Sequence, residues 1–240
     1  MSHVHSMLSN LLNPWIKRSL KSTGSRGSYM RELNIIVTGI GGQGQLFLSR
    51  IIGEVFLKNN IPAYIAETHG LSQRGGTVVV HVRVGRDVRS PLIPLGEAHI
   101  MISLEIIEAS RYIDYLRSNG VALINNKMIP PPGKRYDLDP QKLIDYIRSR
   151  VKHVYILNAS KTALEYKMPI SANIYMIGGL IKLLDRLEIL SEELSDVVIR
   201  DLLPSKNKDI NLLIYESGKN EMNLILTNED LSELKKIFSR

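Results

Sequence analysis

The 240-residue sequence contains no cysteine. This absence excludes disulfide bonds, zinc ribbons, thiolate-ligated iron–sulfur clusters and a cysteine nucleophile within the chain. The sequence also lacks any apolar run near the ~18 residues that a membrane-spanning helix requires. We therefore expect a cytoplasmic protein without a membrane partner.

Acidic residues are missing from the first 29 positions, whose only charged residues are Lys17, Arg18, Lys21 and Arg26. The whole chain has a formal net charge of +7, so little positive charge is left for the other residues. A charge this diffuse does not indicate nucleic-acid binding. Segment 1–29 has the composition of a transit peptide, but we interpret it as a flexible basic extension before the folded domain.

The segment 33–48, LNIIVTGIGGQGQLFL, is the stretch around which the chain is organised. An apolar run predicts a buried strand over 33–38, and a helix is expected over 45–58. Between them lie four glycines, which allow a sharp turn and close approach of a ligand: Gly39, Gly41, Gly42 and Gly44. The unpaired N–H groups of the helix start then predict an anion site, with Gln43 as a neutral hydrogen-bonding group. A turn needed only for packing is the competing interpretation.

A second polar loop follows the strand expected over 63–66 and has the sequence ETHGLSQRGG. We predict catalytic or proton-handling roles for Glu67, His69 and Arg74, because arginine binds phosphate or carboxylate and histidine titrates near neutral pH. Predicted binding residues in the same loop are Ser72, Gln73 and Gly75. The alternatives are a His69 that only bonds a backbone carbonyl and an Arg74 that only pairs with Glu67.

The remaining pattern alternates strands with helices, which predicts a single three-layer α/β domain with a mainly parallel sheet and a Rossmann-like glycine turn. Strands are predicted over 77–84, 99–103, 121–125 and 153–157, with a short one over 213–216. Helices are predicted over 105–119, 140–150, 173–187, 191–202 and 228–240. We place the domain at 30–216 and a C-terminal appendage with an amphipathic helix at 217–240. We expect structural roles for His81 and His153. We expect close helix packing at Asn173, Gly178 and Gly179, with a ligand role as the alternative.

One functional interpretation is a free-standing dinucleotide-binding oxidoreductase. Gly39-x-Gly41-x-x-Gly44 satisfies the dinucleotide fingerprint, and Glu67 ends the second strand, where the ribose-binding acid belongs. The spacing between them is longer than usual, however, and no separate substrate domain can be discerned.

The order of the motifs resembles the gamma-type subunit of 2-oxoacid:ferredoxin oxidoreductases, with the greatest likeness to the indolepyruvate-specific type. The motifs, all within residues 30–215, are GIGGQGQ, ETHGLSQRGGTVVVHVRVG, SPLIPLGEAHIMISLEIIEASRYIDYL and NGVALIN. His99 departs from the family pattern, which usually has an acid after GEA.

The resemblance implies a subunit of an enzyme that oxidatively decarboxylates a 2-oxo acid, here an aryl pyruvate, with CoA as acyl acceptor and ferredoxin as electron acceptor. Thiamine diphosphate and the 4Fe-4S clusters would belong to a larger alpha-type subunit, because this chain has neither a GDG motif nor cysteine. In that hetero-oligomer the chain would complete the active centre and help bind CoA. A non-catalytic assembly module is a third interpretation.

Overall fold

The computed structural model describes residues 32–69, 75–130 and 138–238. These ranges contain strands, α-helices and two short 3₁₀ turns. In chain order the strands and α-helices are β1 (Leu33–Ile40), α1 (Gln45–Lys58), β2 (Ala63–His69), β3 (Thr77–Val84), β4 (Ala98–Ser103), α2 (Ile106–Tyr112), β5 (Leu116–Asn125), α3 (Pro140–Arg150), β6 (His153–Leu157), α4 (Ala159–Glu165), α5 (Ala172–Arg186), α6 (Glu192–Leu202), α7 (Lys208–Ile225) and α8 (Asn228–Phe238).

The strands form one mixed sheet in the order β2-β3-β1-β4-β5-β6. Strands β1, β4, β5 and β6 are parallel, whereas β3 is antiparallel to both of its neighbours. The predicted mainly parallel α/β sheet is confirmed. The reversal at β3 follows from the short β2–β3 connection, because a parallel neighbour would need a crossover of a dozen or more residues.

Helices cover both faces of the sheet and produce two hydrophobic cores. On one face, α1, α5, α6, α7 and α8 pack on residues such as Val37 and Ile102. On the other, α2 and α3 pack on residues such as Ile36 and Met101. Side chains alternate between faces along a strand, so consecutive apolar residues serve both layers. None of the helices among the described residues is long and apolar enough to cross a bilayer.

Two sequence predictions were wrong. The helix predicted over 105–119 ends at Tyr112, and the chain then enters β5 at Leu116, which pairs with Ala98 of β4. The short strand predicted over 213–216 lies inside α7. Both errors arose at short apolar runs, where periodicity alone does not separate a strand from a helix.

The two buried histidines outside the polar loops have structural surroundings, as predicted. His81 of β3 accepts a hydrogen bond at Nδ1 from the N–H of Ile93 at 3.2 Å, and burial lowers its pKa. His153 opens β6 and lies 3.7 Å from Asp230 and 3.5 Å from Glu233, both on α8. The neighbouring Lys152 pairs with Glu233 at 2.5 Å and links the last described helix to this edge of the sheet.

Candidate functional site

The predicted site lies at the carboxyl ends of the parallel strands. Strands β1 and β2 both end there, and β3 begins there, so the glycine turn 39–44 lies beside the residues that lead into β3. The N–H of Gly41 donates to the carbonyl oxygen of Gly76 at 2.8 Å. Two helices also begin at this edge: α1 follows β1, and α2 follows the neighbouring strand β4. The two helices cover opposite faces of the sheet, so the chain changes direction between β1 and β4. In open α/β sheets such a switch point is the usual place for a ligand.

The turn after β1 requires glycine at two positions. Gly42 has φ +102° and Gly44 has φ +88°, a left-handed region that residues with a Cβ rarely adopt. At Gly44 an added Cβ would also overlap the Asn173 carboxamide, which donates to the Gly44 carbonyl oxygen at 3.4 Å. Asn173 thus packs the start of α5 onto this turn, the structural role predicted for it.

Two glutamines fix the shape of the turn by binding the same residue. Gln43 Oε1 accepts from the N–H of Ile40 at 2.7 Å, and Gln45 Nε2 donates to the Ile40 carbonyl oxygen at 2.8 Å. Gly39 leaves room for both amides, since a Cβ there would come within 2.7 Å of each. Gln43, predicted as a ligand-binding side chain, therefore holds the turn through its carboxamide oxygen.

The start of α1 presents N–H groups without a cap. No side chain among the described residues caps this helix, and its first turn contains no acidic residue. The three leading N–H groups and the helix dipole together favour a negative charge at this end. The turn can therefore receive an anion.

Glu67 and His69 lie at the end of β2, and Gly75 borders β3 with φ +70°. Because β3 separates β2 from β1, β2 lies about 10 Å from β1 rather than one strand spacing away. This separation weighs against a dinucleotide site, where the ribose-binding acid follows a strand adjacent to the first. The His69 side chain and residues Ser72, Gln73 and Arg74 lie outside the described part of the chain.

A buried carboxylate at the start of α2 was not predicted as a helix cap. The Glu105 carboxylate accepts from the N–H groups of Ile107 at 3.0 Å and Ile129 at 3.4 Å, and also from that of Glu108. Burial raises the pKa of Glu105 more than these bonds lower it. Its position two residues after a buried strand was the available signal, because an acid there can cap the following helix.

A second missed group lies on the loop after β6. The Glu221 carboxylate of α7 accepts from the backbone N–H of Asn158 at 2.9 Å, from its Nδ2 at 2.7 Å and from the Tyr175 hydroxyl at 2.7 Å. Asn158 Oδ1 in turn accepts from Asn126 Nδ2 at 3.3 Å. No local pattern connects Glu221 to Asn158, which is 63 residues earlier in the sequence.

Comparison with known proteins identifies the family. The family model described as pyruvate ferredoxin/flavodoxin oxidoreductase matches residues 34–221, which include the sheet except for Leu33 and most of α7. The chain belongs to this family. The match covers both glycine-bearing turns and Glu221, and it ends before α8.

Relatives from archaea show the same assignment in more detail. The chain is 38% identical over 199 residues to indolepyruvate oxidoreductase subunit IorB of Archaeoglobus fulgidus, with 79% of this chain and 95% of that protein covered. It is 34% identical over 194 residues to the IorB subunit of Thermococcus kodakarensis, with the same coverage. A 2-oxoglutarate synthase subunit KorC of Methanocaldococcus jannaschii is 26% identical over 185 residues, covering 77% of this chain and 90% of that protein. These relatives are subunits of oxidoreductases that act on 2-oxo acids.

Solved structures share the fold. The gamma subunit of a keto/oxoacid ferredoxin oxidoreductase from Geobacter sulfurreducens matches with a TM-score of 0.60 at 18% identity, covering 80% of this chain and 99% of that one. A 2-oxoglutarate:ferredoxin oxidoreductase from Magnetococcus marinus matches with a TM-score of 0.59 at 18% identity, covering 81% of this chain but 32% of the longer one. The same fold therefore occurs as a separate subunit and as part of a larger chain.

Proposed function

We propose that this chain is the small, thiamine-free subunit of an indolepyruvate-type 2-oxoacid:ferredoxin oxidoreductase. The observation that carries the proposal is the 34–38% identity to IorB subunits over 95% of their length. In the overall reaction, an aryl pyruvate, CoA and two oxidised ferredoxins give an acyl-CoA, CO₂, a proton and two reduced ferredoxins. The chain would contribute to this reaction within a hetero-oligomer.

The redox cofactors of such an enzyme do not fit this chain. It has no cysteine to ligate a 4Fe-4S cluster. Among the described residues, no group of three histidine or carboxylate side chains is arranged to hold a metal ion. We therefore assign thiamine diphosphate and the clusters to an alpha-type partner subunit, and we assign no electron-transfer step to this chain.

The contribution that we propose for this chain is binding of CoA. The phosphate groups of CoA are anions, and the uncapped start of α1 presents backbone N–H groups beside Gly42 and Gly44. Arg74, on the neighbouring loop, would add a bidentate donor for the same phosphates. Glu67 and His69 would be the nearby groups able to hold or move a proton.

The proposal is tested by producing the full chain with its thiamine-binding partner and measuring indolepyruvate-dependent ferredoxin reduction at varied CoA. Arg74→Ala is expected to raise the Michaelis constant for CoA about tenfold or more, because a charge-assisted contact is lost. Arg86→Ala is the control. Arg86 is exposed in the turn after β3, at the end of the sheet that is far from the glycine turn.

Two outcomes would contradict this function. NAD-dependent turnover of a hydroxy acid by the isolated chain would favour the free-standing oxidoreductase. An assembled enzyme whose CoA dependence does not change with Arg74→Ala would favour the assembly module.

A further inference from the structure

An apolar surface borders the glycine turn on the side of α5. We define the α4–α5 corner as residues 161–170. Within it Leu164 is 66% exposed and Ile170 is 60% exposed, and Tyr166 is also exposed. Large apolar side chains grouped on one short segment are typical of an interaction surface.

The backbone of this corner is held in a defined shape. The N–H of Lys167 donates to the Leu164 carbonyl oxygen at 2.9 Å, and the N–H of Met168 donates to that of Ala163 at 2.8 Å. Lys167 has φ +57°, a left-handed conformation that costs energy for a residue with a Cβ. The apolar side chains therefore project from a fixed turn, which lowers the entropy lost when a partner binds.

The corner adjoins the proposed CoA site. Ile170 lies three residues before Asn173, whose carboxamide donates to the carbonyl oxygen of Gly44. From the other side, Leu46 follows Gly44 by two residues and is half exposed. A protein bound at the corner would consequently stand beside the glycine turn.

The charges near the corner are mostly positive. Segment 204–209, which ends in the first turn of α7, contacts it through Asn207, whose Nδ2 lies 3.5 Å from Met168 Sδ. The corner and this segment together carry four lysines and two acids: Lys161, Lys167, Lys206, Lys208, Glu165 and Asp209. Two copies of this surface facing each other across a twofold axis would oppose lysine to lysine. An acidic partner fits better.

We propose that the α4–α5 corner is the docking surface for the thiamine-bearing subunit, which would present an apolar patch with an acidic rim. This inference rests on the proposed function and deepens it. The docked subunit would place its cofactor next to the turn that receives CoA. The acyl group formed on the thiamine-bearing subunit would then reach the CoA thiol bound by this chain without leaving the interface.

The test uses the tagged full chain produced together with the thiamine-bearing subunit, which is identified in the purified complex by its thiamine diphosphate and iron content. Leu164→Glu combined with Ile170→Glu is expected to lower the amount of captured partner about tenfold or more, because two buried apolar contacts become charged. The matched control is Leu224→Glu, a leucine that is 83% exposed near the other end of α7. The control is expected to capture as much partner as the unchanged chain.

Circular dichroism and the thermal midpoint of each isolated chain separate docking from folding, and both are expected to match the unchanged protein. Equal capture by the double variant and the control would overturn the docking surface while leaving the proposed function intact. An unchanged chain that captures no thiamine-bearing subunit would overturn both. An isolated chain that is dimeric and becomes monomeric in the double variant would show a second copy as the occupant and overturn the proposal.

Discussion

Gly178 of α5 and Tyr215 of α7 approach each other so closely that a methyl group on Gly178 would overlap the Tyr215 carbonyl oxygen. The relationship is reciprocal, because a methyl group on Gly218 of α7 would overlap the carbonyl oxygen of Tyr175 on α5. Two glycines thus let the two helices pack backbone against backbone. This contact agrees with the close helix packing that was predicted at Gly178.

Gly178→Ala is expected to destabilise the protein by about 2–3 kcal/mol, since the added methyl group must push two backbones apart. Its neighbour Gly179 is the control, because a Cβ there would crowd the flexible end of Leu157 at 2.9 Å and make an ordinary contact with the Gly218 carbonyl oxygen at 3.9 Å. Alanine is favoured over glycine in a helix by about 1 kcal/mol, so Gly179→Ala should be close to neutral. Urea unfolding of both variants measures the difference, and equal losses would contradict the packing argument.

Lys219 of α7 is expected to be a strong contributor to stability. Its ammonium is buried and lies 2.8 Å from Asp196, 2.8 Å from Glu216 and 3.1 Å from Glu192. Burial lowers its pKa, but the bonds to these carboxylates raise it more. Lys219→Met leaves the acids facing one another and should cost about 2–4 kcal/mol at pH 7. Lys235→Met, which breaks an exposed pair with Glu188, should cost less than about 0.5 kcal/mol.

The Lys219→Met loss should depend on pH. In the unchanged protein, burial raises the pKa of Glu192, but the bonds from Lys182 and Lys219 lower it more, so this carboxylate stabilises the fold when ionised. Without Lys219 the neighbouring carboxylates should take up protons more readily. The difference in unfolding free energy between Lys219→Met and the unchanged protein should therefore shrink as the pH falls from 7 toward 4. Unfolding curves across this range provide the measurement, and a constant deficit would show that lost packing alone is responsible.

His99 should make the fold sensitive to acid. Burial, together with the charge of Arg117, lowers its pKa to about 4, and its Nδ1 accepts from the N–H of Asn34 at 3.0 Å. As the pH falls, the His99 imidazole is protonated in the unfolded chain before it is protonated in the folded one. Stability that is present above about pH 6.5 is therefore lost as the pH falls toward 4. Asparagine in His99→Asn keeps a hydrogen-bond acceptor but does not titrate. The variant should therefore avoid about 2 kcal/mol of this acid-dependent loss of stability, a figure that already allows for the partial exposure of His99. Parallel stability curves for the two proteins would refute this account.

Gln43→Glu should separate the shape of the turn from its charge. A carboxylate can still accept from the N–H of Ile40 and loses only the long 3.4 Å bond that Gln43 Nε2 donates to the Leu104 carbonyl oxygen, so the thermal midpoint should stay within a few degrees of the original. The negative charge would face the start of α1, and the Michaelis constant for CoA in the assembled enzyme should rise about tenfold. Asn223→Asp is the control, since it makes the same chemical change at an exposed position paired with Arg186. An unchanged CoA dependence would remove the turn from the binding site.

Local patterns predicted the elements that have strong signals. The helix at Gln45–Lys58 and the strand at Thr77–Val84 have the predicted bounds, because glycines or a turn delimit each one. The last helix starts as predicted at Asn228, where the Thr227 hydroxyl accepts from the N–H of Asp230 at 3.1 Å. Sequence alone was sufficient at these boundaries, whereas the glycine at position 120 did not end a helix and lies inside β5.

Contacts between distant parts of the chain could not be predicted from local sequence patterns. The insertion of β3 between β1 and β2 depends on which strands pair, and an alternating pattern of valines does not specify a partner. The bond from Asn173 to Gly44 joins residues 129 positions apart. Glu105 was absorbed into a predicted helix because acids are common in the first turn as well as before it. These missed relationships are the ones that shape the site.

The paired amides of Gln43 and Gln45 on Ile40 also bear on how fast a ligand can bind. Because the N–H and the carbonyl oxygen of Ile40 are both hydrogen-bonded, the turn does not need to change shape when a ligand arrives. Encounter rather than refolding of the loop should then set the association rate, with only a small ordering penalty. Under the proposed binding of CoA, a turn of fixed shape would also let the thioester product leave without a rearrangement of the loop.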